Sequence, residues 1–205
     1  VDQPASGLLG VFQFPAVQQS PPEWVSADVS NYMGLNWNVA EAYLAVESVV
    51  DSFQGPGALS KVLDAAAMQE DGPQVHPKKD VLDNLSGGVQ LAVTMPEELS
   101  EDEPELPKIL AAIGLKDAAA MKGTLAKAAD SDGFPGRTRE FEGQTIYELP
   151  TDGDQILSIA IIGTDLMIAS TPEAMEGVIR GGVREPLAKS EAYQALSEHF
   201  PAQTS

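Results

Sequence analysis

The sequence predicts an α+β fold: a mainly antiparallel sheet with helices packed on one face, built as two repeated strand–helix halves. Three observations predict it. Short apolar runs of period two are bounded by Gly and Pro, and after residue 136 four of them follow one another with tight turns, which is a β-meander. Between such runs, apolar residues recur at helical spacing, most clearly at Val39, Ala42, Tyr43, Val46, Val49, Val50 and Phe53. A strand-to-helix joint recurs at Met33-Gly34-Leu35-Asn36, at Ile113-Gly114-Leu115-Lys116 and at Leu166–Ser170, and units of this kind each hide one helix face on a shared sheet.

The boundaries follow from composition. Residues 1–30 are rich in Gln, Pro and Ser and form an extended N-terminal segment, with one short strand expected within Gly7–Pro15. Residues 31–96 are the first strand–helix half. A strand over Asn31–Trp37 leads into the long helix, with Asn38 as its cap, Glu41 three residues on and Gly55-Pro56-Gly57 as its stop. A short helix is expected over Ala58–Met68 and another from Pro77 to about Leu85, which Gly87-Gly88 ends. Val89–Met95 is the next strand. Residues 97–107 hold six acidic residues and two prolines, an acidic loop. Residues 108–205 are the second half: a strand Lys108–Leu115, a helix Asp117–Ala129 capped by Asp117, then strands Arg137–Phe141, Gln144–Leu149, Gln155–Ile162 and Leu166–Ser170. Turns are expected at Glu142-Gly143 and Gly163-Thr164-Asp165. Thr171-Pro172 opens a helix to about Arg180, and Ser190 caps a last one to about Phe200 that buries Tyr193, Leu196 and Phe200.

Of the 205 residues, 12 are basic and 31 acidic, a formal net charge of −19. That balance argues against nucleic acid and anionic membrane surfaces, which need clustered Lys and Arg. No apolar run is long enough to cross a bilayer. The partners it allows are a protein or a small ligand. The chain has no Cys, so thiol catalysis, disulfides and iron–sulfur ligation are excluded, and an oxidising extracytoplasmic compartment, periplasmic or membrane-anchored, suits it. It starts at Val1 rather than Met, as expected of a processed or excised chain.

No catalytic or cofactor signature stands out. His76 and His199 lie in different halves without a metal spacing; His76 is expected solvated and His199 at a helix C-terminus. No phosphate loop, dinucleotide fingerprint or nucleophile elbow is present, so no cofactor is expected. Asp130-Ser131-Asp132-Gly133 starts like a calcium loop but has Phe141 where the twelfth-position Glu belongs, so a turn is expected. Asn84-Leu85-Ser86 matches a glycosylation sequon. Arg137 and Arg139 share a strand face and could grip an anion; cross-strand pairing with acids is the expected alternative. Trp24, Tyr32 and Trp37 cluster where the first strand–helix unit starts. Exposed, they would be a sugar or peptide platform; packed, part of the core.

A string of short patterns resembles the bacterial domain-of-unknown-function family three-three-five-two. They are Ser26-Ala27-Asp28-Val29-Ser30-Asn31-Tyr32, Leu82–Ala92, Lys116-Asp117-Ala118-Ala119-Ala120, Gly143–Leu149, Asp165–Pro172 and Pro186–Tyr193, together spanning about Trp24 to Phe200. Ser26 stands where the family pattern has proline. The resemblance implies an exported or membrane-anchored bacterial protein with more than one such unit, and it implies no activity.

The function expected is therefore a non-enzymatic envelope module that binds or presents a partner, with Trp24, Tyr32, Trp37, Arg137 and Arg139 as candidate surface. The alternatives are a carrier of an apolar ligand lined by Met33, Tyr43, Met121 and Met175, or a hydrolase that works through carboxylates alone.

Overall fold

The computed structural model describes residues 11, 12, 14, 20–69, 72–96, 106–151, 155–181, 183–197 and 199. Seven strands form one antiparallel sheet in the order β1-β2-β3-β7-β6-β5-β4. They are β1 (Asn31–Asn36), β2 (Leu85–Thr94), β3 (Lys108–Leu115), β4 (Arg137–Phe141), β5 (Gln144–Pro150), β6 (Ile156–Ile162) and β7 (Asp165–Ala169). The helices are α1 (Val39–Gln54), α2 (Ala58–Ala67), α3 (Ala118–Ala129), α4 (Pro172–Ile179) and α5 (Glu191–Ser197). The α+β class and the antiparallel sheet stand. The strand expected within Gly7–Pro15 lies outside the described residues except at Val11, Phe12 and Phe14, and most of the acidic loop lies outside them too.

Local chemistry explains most of the elements. Asn38 Oδ1 accepts from Glu41 N at 3.2 Å, Asp117 from Ala120 N at 2.9 Å, and Thr171 Oγ1 from Ala174 N at 3.2 Å, so three helices start at side-chain caps. The β4–β5 hairpin turns at Glu142-Gly143, both at positive φ, as a two-residue type I′ turn demands. The β6–β7 turn is one residue tighter than expected, because Asp165 already pairs with Ile162.

The expectation of helices on one face is corrected. Successive strand residues point to opposite sides. On β3, Ala112 packs in a cluster with Met167, Ala160, Ile146 and Met175 of α4, whereas Ile113 and Leu115 pack with Ile161, Leu166, Val39 of α1 and Met121 of α3. So α4 covers one face of the sheet, and α1 and α3 lie against the other. Nor do the data confirm two repeated halves. The first half supplies β1 and β2, the second β3 to β7, and the two make one continuous sheet through the β2–β3 pairing.

Three further expectations change. The helix expected from Pro77 to Leu85 is a π-helical turn (Pro77–Val81) and a 3-10 turn (Leu82–Asn84), and Gly87-Gly88 lie inside β2 rather than ending a helix. Gly87 at φ +100° lets the strand bulge there, where the β2–β3 register shifts. The apolar stripe of α1 outruns its cover: Val39 and Ala42 are buried, but Phe53 is 84 % exposed, since beyond the sheet α1 meets mainly α2. On α5, Leu196 is exposed, and Phe200 lies outside the described residues.

Asn84 pins this region. It is buried, its Nδ2 donates to Asp117 O at 2.8 Å, and its Oδ1 accepts from Asp117 N at 2.7 Å. The sequon nitrogen is thus engaged inside the fold. Asn84→Ala is expected to cost about 1–3 kcal/mol, because two backbone groups of the β3–α3 joint lose their partner. Urea denaturation measures it; a loss within experimental error would show that water replaces the amide.

Candidate functional site

The structure separates the residues that the sequence groups together. Tyr32 sits on β1 opposite Ala92, on the α4 side of the sheet, where Trp24 also packs. Trp37 packs on the opposite side, against the α1 and α3 cluster. The three aromatics therefore form no single platform. Burial pushes the Tyr32 hydroxyl above its ordinary pKa, and the hydroxyl hydrogen-bonds Gln90 Oε1 at 3.3 Å.

Arg137 and Arg139 do share a face, and there they meet an acid. Arg137 Nε donates to Glu148 Oε2 at 2.6 Å and Arg139 Nε to Glu148 Oε1 at 2.5 Å. Arg139 also reaches Glu176 on α4 at 2.8 Å, and Arg180 pairs with Glu176 and Glu142 over the ring of Phe141. Their principal partner is not a surface acid: the Glu148 side chain is 1 % exposed. The cluster ties the edge of the sheet to α4, and Glu148, Glu176 and Glu142 together take up the positive charge that an anion would need.

His76 is also more engaged than expected. Its side chain is 13 % exposed, Nδ1 accepts from Lys78 N and Lys79 N, and Nε2 lies 3.0 Å from Asp64 Oδ1. Since Nδ1 accepts, Nε2 carries the proton and donates to Asp64. The ring caps the π-helical turn and ties it to α2. Asp130-Ser131-Asp132 ends α3 as a turn, with Ser131 Oγ bonded to Ala128 O. Among the described residues, no group of three or more His, Asp or Glu is placed to hold a metal ion.

A concave feature of the described residues surrounds Trp37. It is a cleft of about 420 Å³ between the start of α1, the π-helical turn and the β3–α3 joint. Asn36, Trp37 and Asn38 enter from the β1–α1 joint, Tyr43 from α1, Lys78 and Asp83 from the two short turns, and Lys116 from the end of β3. Trp37 is held from both ends: its backbone N donates to Gly87 O at 2.7 Å, and its indole Nε1 donates to Val11 O at 2.8 Å.

Two lysines converge on one acid in this cleft. Lys78 Nζ donates to both oxygens of Asp83, at 2.8 and 2.9 Å, and lies 5.0 Å from the centre of the Tyr43 ring. Lys116 Nζ donates to the Asp83 backbone oxygen at 2.8 Å. The Asp83 hydrogen bond holds the Lys78 ammonium above its ordinary pKa, and burial pushes the Tyr43 hydroxyl up. At neutral pH the cleft thus sets two ammonium groups against one carboxylate, beside two aromatic rings.

Sequence reasoning found Trp37 and missed the lysines. Lys78 and Asp83 are five apart, and an α-helix, the form expected there, puts such residues on different sides. The π-helical turn followed at once by the 3-10 turn that holds Asp83 brings them together. The available signal was the histidine before Pro77, a ring able to cap a tight turn.

Compared with known proteins, the chain matches no family model, no curated protein and no solved structure.

Proposed function

We propose that this chain is a non-enzymatic binding module of the bacterial envelope, and that the Trp37 cleft is the surface that holds its partner or small ligand. One observation carries this reading. In a chain of net charge −19, the cleft gathers two ammonium groups restrained by Asp83, one of them 5.0 Å from the centre of the Tyr43 ring, with Trp37 in the same lining. Restraint matters because ordering a free lysine on binding costs side-chain entropy, and these two are already held by Asp83. The cysteine-free composition and the resemblance to domain-of-unknown-function family three-three-five-two support the envelope placement.

The test uses Trp37 as its own reporter in a Trp24→Phe background. Phosphate, acetate, neutral monosaccharides and short peptides are titrated while Trp37 emission and Tm are followed. A saturable change with one class is expected, with Tm rising by about 5–10 °C at 100 times the Kd. No response to any class would overturn the reading.

A second reading, carriage of an apolar ligand, has its own observation. A hollow of about 270 Å³, lined by apolar side chains and the Tyr43 ring, lies on the far flank of α1. It is not the cavity expected from Met33, Tyr43, Met121 and Met175. Met121 and Met175 are fully buried on opposite faces of the sheet, Met33 is on edge strand β1, and of the four Tyr43 alone lines it.

A further inference from the structure

The cleft and the apolar hollow share Trp37, Val39, Tyr43 and Leu82. Helical geometry explains the sharing. On α1, Ala40 and Leu44 border the cleft, Ala42 and Val46 border the hollow, and Val39 and Tyr43, four apart, form the ridge between them. The two sides differ in chemistry. The cleft lining offers Lys78 and Lys116 against the carboxylate of Asp83, while Glu47, bonded to Tyr43 outside that lining, adds its charge near Lys78. The hollow presents Val46, Leu59 and Leu63, and the Tyr43 hydroxyl is occupied by a bond to Glu47 Oε1 at 3.0 Å. An apolar cavity of about 150 Å³ already accepts a benzene ring, so about 270 Å³ has room for a ring or a short alkyl chain.

The geometry points to an amphiphile as the ligand: an anionic head on Lys78 and Lys116, with an apolar tail that crosses the Val39–Tyr43 ridge, beside Trp37, into the hollow. This rests on the reading of the Trp37 cleft as a binding site, and it adds the ligand's class. Each half alone binds weakly. A small anion in an open cleft meets ammonium groups that water already solvates, and a neutral hydrocarbon has nothing to set its register. Joined, the head fixes position and the tail contributes affinity. Full burial of one methylene is worth about fourfold in affinity, so the tail's length is readable.

The experiment titrates the Trp24→Phe protein with acetate, butanoate, hexanoate and octanoate, below their aggregation concentrations, and with the matching alkanols. Trp37 emission is the readout. Affinity for the carboxylates is expected to rise about fourfold per methylene and then level off once the hollow is full. Lys116→Gln, an exposed change, is expected to weaken every carboxylate several-fold and leave the alkanols unaffected. Val46→Phe, at a partly exposed position on the wall of the hollow, is expected to abolish the dependence on chain length while acetate still binds. A saturable response equal for acetate and octanoate would overturn the amphiphile and leave the cleft as an anion site. A length dependence that the alkanols share, and that Lys116→Gln does not touch, would overturn the head contact. A length dependence unchanged by Val46→Phe would overturn the placement of the tail. No response to any compound in this series, nor to the phosphate, sugars and peptides above, would overturn both readings together.

Discussion

Glu148→Ala is expected to destabilise the fold by about 3–5 kcal/mol, the usual cost of removing one partner of a buried ion pair. Glu148 lies on β5, faces α4, and accepts from both Arg137 and Arg139. Without it, Arg139, 28 % exposed, keeps only Glu176 and stays under α4 with a charge half met. Arg137 is 70 % exposed and turns to water at little cost. Urea denaturation at pH 7, followed by far-UV circular dichroism, measures the loss; a value under about 1 kcal/mol would show that the network is incidental. Acid gives an independent check. Burial by itself would raise the Glu148 pKa, but the two guanidinium hydrogen bonds and their charges outweigh it and hold the carboxyl below the usual glutamate range. Its contribution is therefore complete above the unfolded value of about 4.3 and disappears as the pH falls through the lower folded value. Glu148→Gln is expected to flatten that part of the stability–pH curve.

Gly87→Ala is expected to cost on the order of 3 kcal/mol and to weaken ligand binding at the same time. Gly87 holds φ +100°, which side chains rarely adopt, and a Cβ there would collide with the Trp37 carbonyl oxygen and come within 2.9 Å of Asn36 Oδ1. Relief requires the β1–α1 joint to move. That joint carries Trp37, whose backbone N is bonded to Gly87 O. A lower Tm together with a shifted Trp37 emission maximum is the expected result. A Tm loss with unchanged emission would place the strain elsewhere. The opposite sign is expected at Gly123 in α3, where a Cβ meets nothing within 4 Å, and Gly123→Ala should stabilise by about 0.5–1 kcal/mol.

Much of the fold was legible because much of it is decided locally. The caps of α1, α3 and α4 depend on hydrogen bonds that span a few residues, and Asn38, Asp117 and Thr171 announce them. The β4–β5 turn follows from Glu142-Gly143, and the common face of Arg137 and Arg139 from the period of a strand. Where several local forms have similar energy, the sequence was ambiguous. Pro77–Asn84 reads as an α-helix, yet His76 and Asn84 hold it in two tighter and wider turns through partners 12 and 33 residues away.

The sequence by itself determined most of the elements, the antiparallel meander and the absence of thiol chemistry. Only the tertiary structure decided which face each helix covers, which acid neutralises the arginines, and which lysines stand beside Trp37. Those choices depend on burial and register. Glu148 takes the arginines because β5 puts it opposite Arg137 beneath α4, and Lys78 and Lys116 meet because Asp83 offers one a carboxylate and the other a carbonyl. Contacts between groups distant in sequence cost chain entropy to form, so the folded core selects them, and no short stretch of sequence encodes them alone.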